Sequence, residues 1–377
     1  MAINLGEPSY DDAEFEAIRQ VFASNWVAGQ GPTSRRFEES FAQFCGANGS
    51  IALNNCTAGL HLALLALGIG EGDEVIVADY TYPATGHSVL YAGAKPIFCD
   101  VRPDTWTIDV SVAEGLITPR TRAIIAVDVA GQPADYEELH ALVEGRDLAL
   151  IQDAACSSGA TYGGRRTGSP WFADVSLFSF HGRKGITCGE GGAATARDPE
   201  VLAQMRKLSC FGVESALARQ GSTSLPIPVF DDLGYNYKLS DIACAIMEAQ
   251  LAKIDALLAH RRHIAARYEE LFSTCDLVRT PRVGPNREHA YQTYTLTLDH
   301  SVNRDEVAMQ LRARGIGCNI GTFASHVQPI YGKTQSCPVS ADQWTRHLAI
   351  PMHANLTDAD AQEVARNVIE LVTTTRK

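Results

Sequence analysis

The sequence of 377 residues predicts an α/β protein built on a mainly parallel sheet, and two observations support this fold class. Short and nearly continuous apolar runs recur through the first 200 residues or so, and segments with apolar residues at helical spacing lie between them. Strands that are apolar throughout are typical of a parallel sheet with helices on both faces. The composition, 45% hydrophobic and 20% charged residues, is that of a globular protein with a sizeable core.

The candidate strands of this sheet are six apolar runs. They lie at 74–78, 95–99, 123–127, 148–152, 175–180 and 192–195. Segments 58–67, 84–92 and 135–144 carry apolar residues at helical spacing and predict helices between the strands. Because a parallel sheet binds its ligands at the carboxyl ends of its strands, we expect the functional residues just after these runs.

The pattern changes near residue 240, where a different kind of segment begins. Residues 240–272 contain no Gly or Pro and predict one long helix, capped by Ser240 or Asp241. Three further elements follow it: a strand at 293–298, a helix at 304–314 and a final helix at 358–372. We therefore expect a large α/β domain at residues 1–245 and a smaller α+β domain at residues 246–377.

Two segments that resemble functional motifs favour ordinary structural roles. Residues 68–72, Gly-Ile-Gly-Glu-Gly, do not follow a strand, so they predict a helix end and a turn. The basic run at 260–263 is expected on the solvated face of the long helix. No glycine fingerprint lies between a strand and a helix, which disfavours a nicotinamide-dependent dehydrogenase.

Charge, cysteines and histidines exclude several classes of function. The net charge of −12 disfavours nucleic acid and anionic membrane surfaces as partners. The N-terminus lacks the features of a signal peptide, and no apolar run approaches the ~20 residues that span a bilayer, so we expect a cytoplasmic protein. The ten cysteines form no Cys-x-x-Cys pair and the eleven histidines show no ligand spacing, so we expect reduced thiols and no metal site.

Lys184 is the lysine best placed for chemistry. It follows the predicted strand at 175–180 and precedes the Gly-Glu-Gly-Gly segment at 189–192. Enzymes that use pyridoxal 5′-phosphate (PLP) need such a lysine, an acid at the pyridine nitrogen and a cradle for the phosphate. Taken by itself, Lys184 is equally compatible with a surface loop beside Arg183.

Candidates for the other parts of a PLP site lie near the ends of other predicted elements. Asp153 follows an apolar strand, where a carboxylate is costly unless it is paired, and a protonated pyridine nitrogen is such a partner. Thr57 and Ala58 open a helix whose N–H groups suit a phosphate, and Ser179 offers a further hydroxyl. Tyr82 can lie against the ring. Each residue also has an ordinary interpretation, as a turn cap, a helix cap or a core aromatic.

Together these motifs resemble the DegT/DnrJ/EryC1/StrS aminotransferases, PLP enzymes of fold type I that mostly aminate keto sugars. The resemblance runs over nearly the whole chain, and the order and spacing of its motifs make it specific. It rests on segments 24–32, 57–64, 90–94, 131–135, 153–155, 178–181, 189–192, 234–237, 328–331 and 348–353.

The resemblance implies a role for each candidate in the PLP site. Lys184 would form the Schiff base with PLP and, once released, would move a proton between the donor and the cofactor. Asp153 would pair with the pyridinium nitrogen. The ring and the phosphate would be held by Tyr82, Thr57, Ala58 and Ser179, with Cys156 beside the cofactor.

The resemblance also implies partners and an assembly. Asn236 matches an asparagine that reaches the phosphate of the neighbouring subunit, which implies a homodimer with shared active sites. His326 and Tyr331 would lie near the substrate. The implied reaction moves an amino group from glutamate or glutamine to a keto sugar, with a nucleotide-linked 3- or 4-keto-deoxy sugar as the leading acceptor.

Three departures from the family pattern leave the acceptor open. Cys156 stands where Gln or His is usual, Gly185 follows the lysine where Asn is frequent, and residues 321–326 replace a His-Tyr-Pro type segment near the substrate. A keto-cyclitol (an inosose) or another antibiotic-pathway ketone is therefore an alternative acceptor. A PLP-dependent sugar dehydratase is disfavoured because such enzymes have histidine in place of Lys184. A non-catalytic regulatory protein is disfavoured because the lysine, the aspartate and the phosphate cradle are all retained.

Overall fold

The computed structural model describes residues 2–213, 227–230, 232–333 and 335–375. The helices are α1 (Asp12–Ser24), α2 (Pro32–Cys45), α3 (Cys56–Ala66), α4 (Pro83–Tyr91), α5 (Val110–Leu116), α6 (Tyr136–Val143), α7 (Pro199–Leu208), α8 (Asp241–Ala252), α9 (Ile254–Phe272), α10 (Arg304–Ala313), α11 (Pro338–Arg346) and α12 (Asp358–Thr374). The longer strands are β1 (Ser50–Leu53), β2 (Glu74–Ala78), β4 (Lys95–Cys99), β5 (Thr121–Val127), β6 (Ala149–Asp153), β9 (Val175–Ser179), β10 (Gly192–Ala196), β13 (Tyr294–Leu298) and β15 (His347–Ile350). Six two-residue strands complete the set: β3 (Tyr80–Thr81), β7 (Thr161–Tyr162), β8 (Arg165–Arg166), β11 (Val278–Arg279), β12 (Arg287–Glu288) and β14 (Phe323–Ala324).

The central sheet has seven strands in the order β1-β10-β9-β6-β5-β2-β4. Strands β4, β2, β5, β6 and β9 pair in parallel, whereas β10 and β1 add antiparallel pairs at one edge. All six predicted strands belong to this sheet, so the prediction of a mainly parallel α/β fold is confirmed. Because β10 reverses direction and β1 reverses it again, β1 ends at the same edge as the parallel strands.

Both faces of the sheet are covered, as the uninterrupted apolar strands predict. Within β2, Val75 and Val77 belong to one buried apolar cluster, together with Leu60 and Leu64 of α3. The alternating residue Ile76 belongs to a second cluster on the opposite face, which also includes residues of β5 and α6.

A smaller antiparallel sheet, β11-β13-β15, lies in the C-terminal part of the chain. It shares a buried apolar cluster with α9, α10 and α12, in which Tyr268, Phe272, Tyr294 and Leu348 are almost fully buried. The predicted helices at 304–314 and 358–372 correspond closely to α10 and α12. The domain boundary at residue 245 stays a prediction.

Two expectations for the segment after residue 240 are wrong. The single long helix is divided at Lys253, whose backbone (φ −109°, ψ 4°) ends α8 and precedes α9. Lys253 forms ion pairs with Asp11 and Glu14, and these partners lie far away in sequence. Within the basic run, Arg261 is buried and donates to the carbonyl oxygens of Tyr291 and other residues, so local charge alone misplaced it.

The helix end and turn predicted at 68–72 are confirmed. Gly68 directly follows Leu67, the C-cap of α3, and has a positive φ of 72°. Across the described ranges, no helix has the length and apolar character that are needed to cross a membrane.

Candidate active site

A cavity of about 970 Å³ opens at the carboxyl ends of the parallel strands. Asp153 is the last residue of β6, Ser179 is the last residue of β9, and Tyr82 directly follows β3, the short strand after β2. The start of α3, which follows β1, lies at the same edge. The candidates for the lysine, the acid, the phosphate cradle and the ring contact therefore contribute to the wall of one cavity.

Asp153 is a buried carboxylate with few partners of its own. The Thr85 hydroxyl donates to its Oδ2 atom over 2.9 Å, and the Ala155 N–H donates to its Oδ1 atom over 3.2 Å. Burial raises the pKa of Asp153, against the lowering effect of these two donors and of the Lys184 charge. A carboxylate in this position is stabilised by a cationic partner in the cavity, which is what a protonated pyridine nitrogen would supply.

Lys184 lies in the loop between β9 and β10, and its ammonium group reaches into the same cavity. Its Nζ atom donates to the Cys156 Sγ atom over 3.2 Å. Burial acts to lower the pKa of Lys184, but the contact with Cys156 and the nearby Asp153 outweigh burial and raise this pKa. The loop is held in place because the Lys184 N–H donates to the His181 carbonyl over 2.8 Å.

The N-terminus of α3 forms the predicted phosphate cradle. Asn55 caps the helix, and its side chain accepts from the Ala58 N–H over 2.7 Å. The Thr57 hydroxyl has no hydrogen-bond partner within the described ranges and lines the cavity together with Ser179. A helix start with an open hydroxyl suits an anionic group, so these residues fit a phosphate.

Tyr82 forms an aromatic part of the wall. It is 63% exposed, and its ring lies 6.0 Å from that of Phe323 in an edge-to-face arrangement. Because one face of the Tyr82 ring is open to the cavity, a pyridine ring can stack on it, which a side chain packed in the core would not allow. Trp106 also lines the cavity, and its backbone has a positive φ of 62°. Its ring centre lies 4.4 Å from that of His347, a contact that fixes the side chain.

Three predicted residues lie outside the cavity wall that the described residues form. Asn236 is exposed and accepts from the Lys238 ammonium group over 2.5 Å. Tyr331 is half-buried, and its ring centre lies 4.7 Å from that of Phe98. His326 is buried and pairs with Asp79. Contacts of these residues with phosphate or substrate stay predictions, and for Asn236 the predicted contact involves a second subunit.

The Asp79–His326 pair belongs to a possible metal-binding group. In the described part of the chain, ligand atoms of Asp79, His326 and Cys337 lie within 4.8 Å of one another. The Asp79 Oδ2 atom and the His326 Nδ1 atom are 2.7 Å apart. Two ligands of one zinc ion in tetrahedral geometry lie about 3.3 Å apart. The pair is therefore explained by a direct hydrogen bond, and the absence of a metal site stays a prediction.

Sequence reasoning missed two neighbours of Asp153. Thr85, on the first turn of α4, supplies the hydroxyl that Asp153 accepts. The thiol of Cys56 lies 4.0 Å from the Asp153 carboxylate. Thr85 could have been found from the sequence, because it lies three residues after Tyr82. At the start of a helix this spacing places both residues on the same side. Cys56 carried no such signal, because its contact depends on two separate strands ending at one edge.

The chain matches a family model and several known proteins over almost its full length. The model described as the DegT/DnrJ/EryC1/StrS aminotransferase family matches residues 8–369. The GDP-perosamine synthase of Caulobacter vibrioides is 36% identical over 367 residues, which cover 96% of each protein.

Solved structures of similar proteins share the fold of this chain. The aminotransferase TlmJ from Streptoalloteichus hindustanus is 30% identical, with a TM-score of 0.92 over 99% of this chain and 100% of that one. The PLP form of Spr1654 from Streptococcus pneumoniae is 25% identical, with a TM-score of 0.92 over 100% of both chains.

Proposed function

The chain belongs to the DegT/DnrJ/EryC1/StrS family and is a PLP-dependent aminotransferase, and we propose that it aminates a sugar. The proposed donor is glutamate or glutamine, and the proposed acceptor is a nucleotide-linked 3- or 4-keto-deoxy sugar. The observation that carries the proposal is the meeting of Lys184 and Asp153 in one cavity with a helix start suited to phosphate.

The size of the cavity supports an acceptor larger than a simple keto acid. Its volume of about 970 Å³ is at the upper end of the ~300–1,000 Å³ range of ligand pockets. A cavity of this size leaves room for a sugar beside the cofactor. The similarity to GDP-perosamine synthase, at 36% identity over 96% of both chains, supports a nucleotide-linked acceptor.

We assign the chemical roles as follows. PLP, when bound, supplies the electron sink that transamination needs. The Lys184 side-chain nitrogen would hold the cofactor as an imine and, once released as a neutral amine, would take up the proton from the donor Cα atom. The Asp153 carboxylate would keep the pyridine nitrogen protonated. Thr57, Ala58 and Ser179 would bind the phosphate, while Tyr82 would orient the ring and Cys156 would contact the cofactor from the side of Lys184.

We also propose a homodimer in which Asn236 of each subunit completes the site of the other. Exposed apolar side chains shortly before Asn236 in sequence support a covering partner: Ile227, Val229, Phe230 and Leu233 are 80%, 77%, 64% and 83% exposed. Exposed apolar surface often marks a contact with another protein chain.

A transamination screen tests the proposed substrates. Purified protein loaded with PLP is incubated with glutamate or glutamine and a panel of keto nucleotide sugars and inososes, and mass spectrometry detects the amino product. We expect amination of a nucleotide-linked keto sugar, and none with a Lys184→Ala variant as control. Amination of inososes alone would establish the cyclitol alternative and contradict the proposed acceptor.

Mixing two inactive variants tests the shared site. Lys184→Ala and Asn236→Ala subunits are mixed, so that each mixed dimer carries one substitution on each subunit. If the site is shared, both substitutions fall in the same site of a mixed dimer and the other site regains activity. No gain of activity in dimers whose subunits are shown to exchange would contradict it.

A further inference from the structure

Arg183, the residue before Lys184, is a cation without a partner on the wall of the cavity. Its side chain lines the cavity and is exposed. Its guanidinium group forms no ion pair or hydrogen bond with any residue in the described ranges. Its backbone, in contrast, is fixed: the Arg183 N–H donates to the His181 ring over 3.2 Å, and its carbonyl accepts from the Gln292 amide over 3.0 Å.

The other charged groups of the wall already have partners. The Glu190 carboxylate lies 3.7 Å from the Nε2 atom of His181. Lys184 contacts Cys156 over 3.2 Å, and Asp153 accepts from Thr85. Among the described residues that line the cavity, Arg183 is the only arginine, and its positive charge is available to a ligand.

We propose that Arg183 binds the α-carboxylate of the amino-acid donor. This inference rests on the proposed function, since it assigns a residue to one substrate of that reaction. Arg183 and Lys184 are consecutive in the chain and both line this cavity, so a ligand that reacts at Lys184 lies beside a wall that includes Arg183. The α-carboxylate is attached to the carbon whose proton Lys184 removes. A planar guanidinium group binds a carboxylate through two parallel hydrogen bonds.

This assignment makes Arg183 a determinant of donor specificity. Any α-amino acid offers the carboxylate, whereas a simple amine does not, so the residue favours amino acids as donors. A nucleotide-linked acceptor also carries an anion, its diphosphate, and the guanidinium group can bind phosphate in the same way. The two halves of a transamination separate these possibilities, because the donor and the acceptor react in different steps.

The test compares Arg183→Gln and Arg183→Lys with the wild type in each half-reaction. The donor step is followed by the absorbance change as glutamate converts the bound cofactor to its aminated form. The acceptor step is followed by the opposite absorbance change, as the keto sugar that the wild type aminates returns the aminated cofactor to PLP. Arg35→Gln is the matched control, because Arg35 is also exposed, has no described side-chain partner and lies outside the cavity wall.

We expect Arg183→Gln to lower kcat/KM for the donor step by roughly 10- to 100-fold, the usual effect of losing a charge-assisted hydrogen bond. Arg183→Lys should recover part of this loss, and the acceptor step should stay near the wild-type value. Binding of 2-methylglutamate, a donor analogue without a removable Cα proton, should weaken by a similar factor, which gives a readout independent of turnover.

Two results would overturn the proposal. If both the donor step and the acceptor step were unchanged in Arg183→Gln, the guanidinium group would bind neither substrate. A loss confined to the acceptor step would assign Arg183 to the diphosphate instead. Failure of the proposed function is a separate result, since it would show as a wild-type enzyme that aminates no sugar while its donor step still proceeds.

Discussion

Replacing Asp153 with Asn is predicted to abolish most turnover while preserving the fold. The Asn side chain has nearly the same shape, and its carbonyl can still accept from the Ala155 N–H, which lies 3.2 Å from the carboxylate. Its amide can donate to the Thr85 hydroxyl, which lies 2.9 Å away. What is lost is the negative charge that would hold the pyridine nitrogen protonated.

The size of this loss follows from the burial of the pair. Asp153 is only 5% exposed, so water cannot replace the missing charge. Breaking a buried ion pair by removing one partner costs about 3–5 kcal/mol. With about 1.4 kcal/mol for each factor of ten in rate, and with two hydrogen bonds retained, we expect kcat to fall roughly 100- to 1,000-fold.

The same substitution should have the opposite effect on the stability of the cofactor-free protein. Burial raises the pKa of Asp153 above its value in the unfolded chain. A carboxyl group with a raised pKa stabilises the fold while it is protonated, and this contribution is lost as the pH rises through the folded-state pKa. Asn resembles the protonated form, so the variant should become more stable than the wild type as the pH increases.

Steady-state kinetics and thermal unfolding of the cofactor-free protein, from about pH 4 to about pH 8, measure both effects. Asp147→Asn is the control, because the Asp147 side chain is 87% exposed and pairs with Arg122 at the surface. Turnover of Asp153→Asn near the wild-type value would refute the role of the carboxylate. A variant that loses stability relative to the wild type as the pH rises would refute the electrostatic reasoning.

Two further predictions concern neighbours of this site. Burial raises the pKa of Asp128 to about 6, so its contribution to stability is lost as the pH rises through about 6. The free energy of unfolding of Asp128→Asn, relative to that of the wild type, should therefore rise by roughly 2 kcal/mol between about pH 4 and about pH 7. A difference between the two proteins that stays constant over this pH range would contradict this. Because Cys156 lies 3.2 Å from Lys184, bound PLP should slow its alkylation by iodoacetamide. Alkylation of the partly buried Cys275 serves as the control, and an equal rate at Cys156 with and without PLP would place the thiol away from the cofactor.

The sequence was sufficient for the central sheet because its signal is local. Residues 75–78 and 123–127 are apolar without interruption, which is typical of a strand covered on both faces, and both ranges lie in strands of the central sheet. The rule that ligands bind at the carboxyl ends of such strands then placed Asp153 and Lys184 in one region, and the cavity contains both.

Long-range contacts limited what the sequence could predict. The break at Lys253 has no Gly or Pro to signal it and coincides with ion pairs to Asp11, the N-cap of α1, and to Glu14 on α1. Arg261 looked solvent-facing, yet it is buried against backbone carbonyl groups of a distant segment. His326 belongs to the segment 321–326, which the family resemblance places near the substrate. Its side chain, however, is hydrogen-bonded to Asp79 outside the cavity wall.

The central claim is that Lys184 holds PLP, and chemical trapping tests it most directly. The PLP-loaded protein is reduced with borohydride and digested, and mass spectrometry locates the pyridoxyl group among the seven lysines of the chain. We expect the modification on the peptide that contains Lys184, and none at any position in Lys184→Ala. A pyridoxyl group on another lysine, retained in Lys184→Ala, would contradict it.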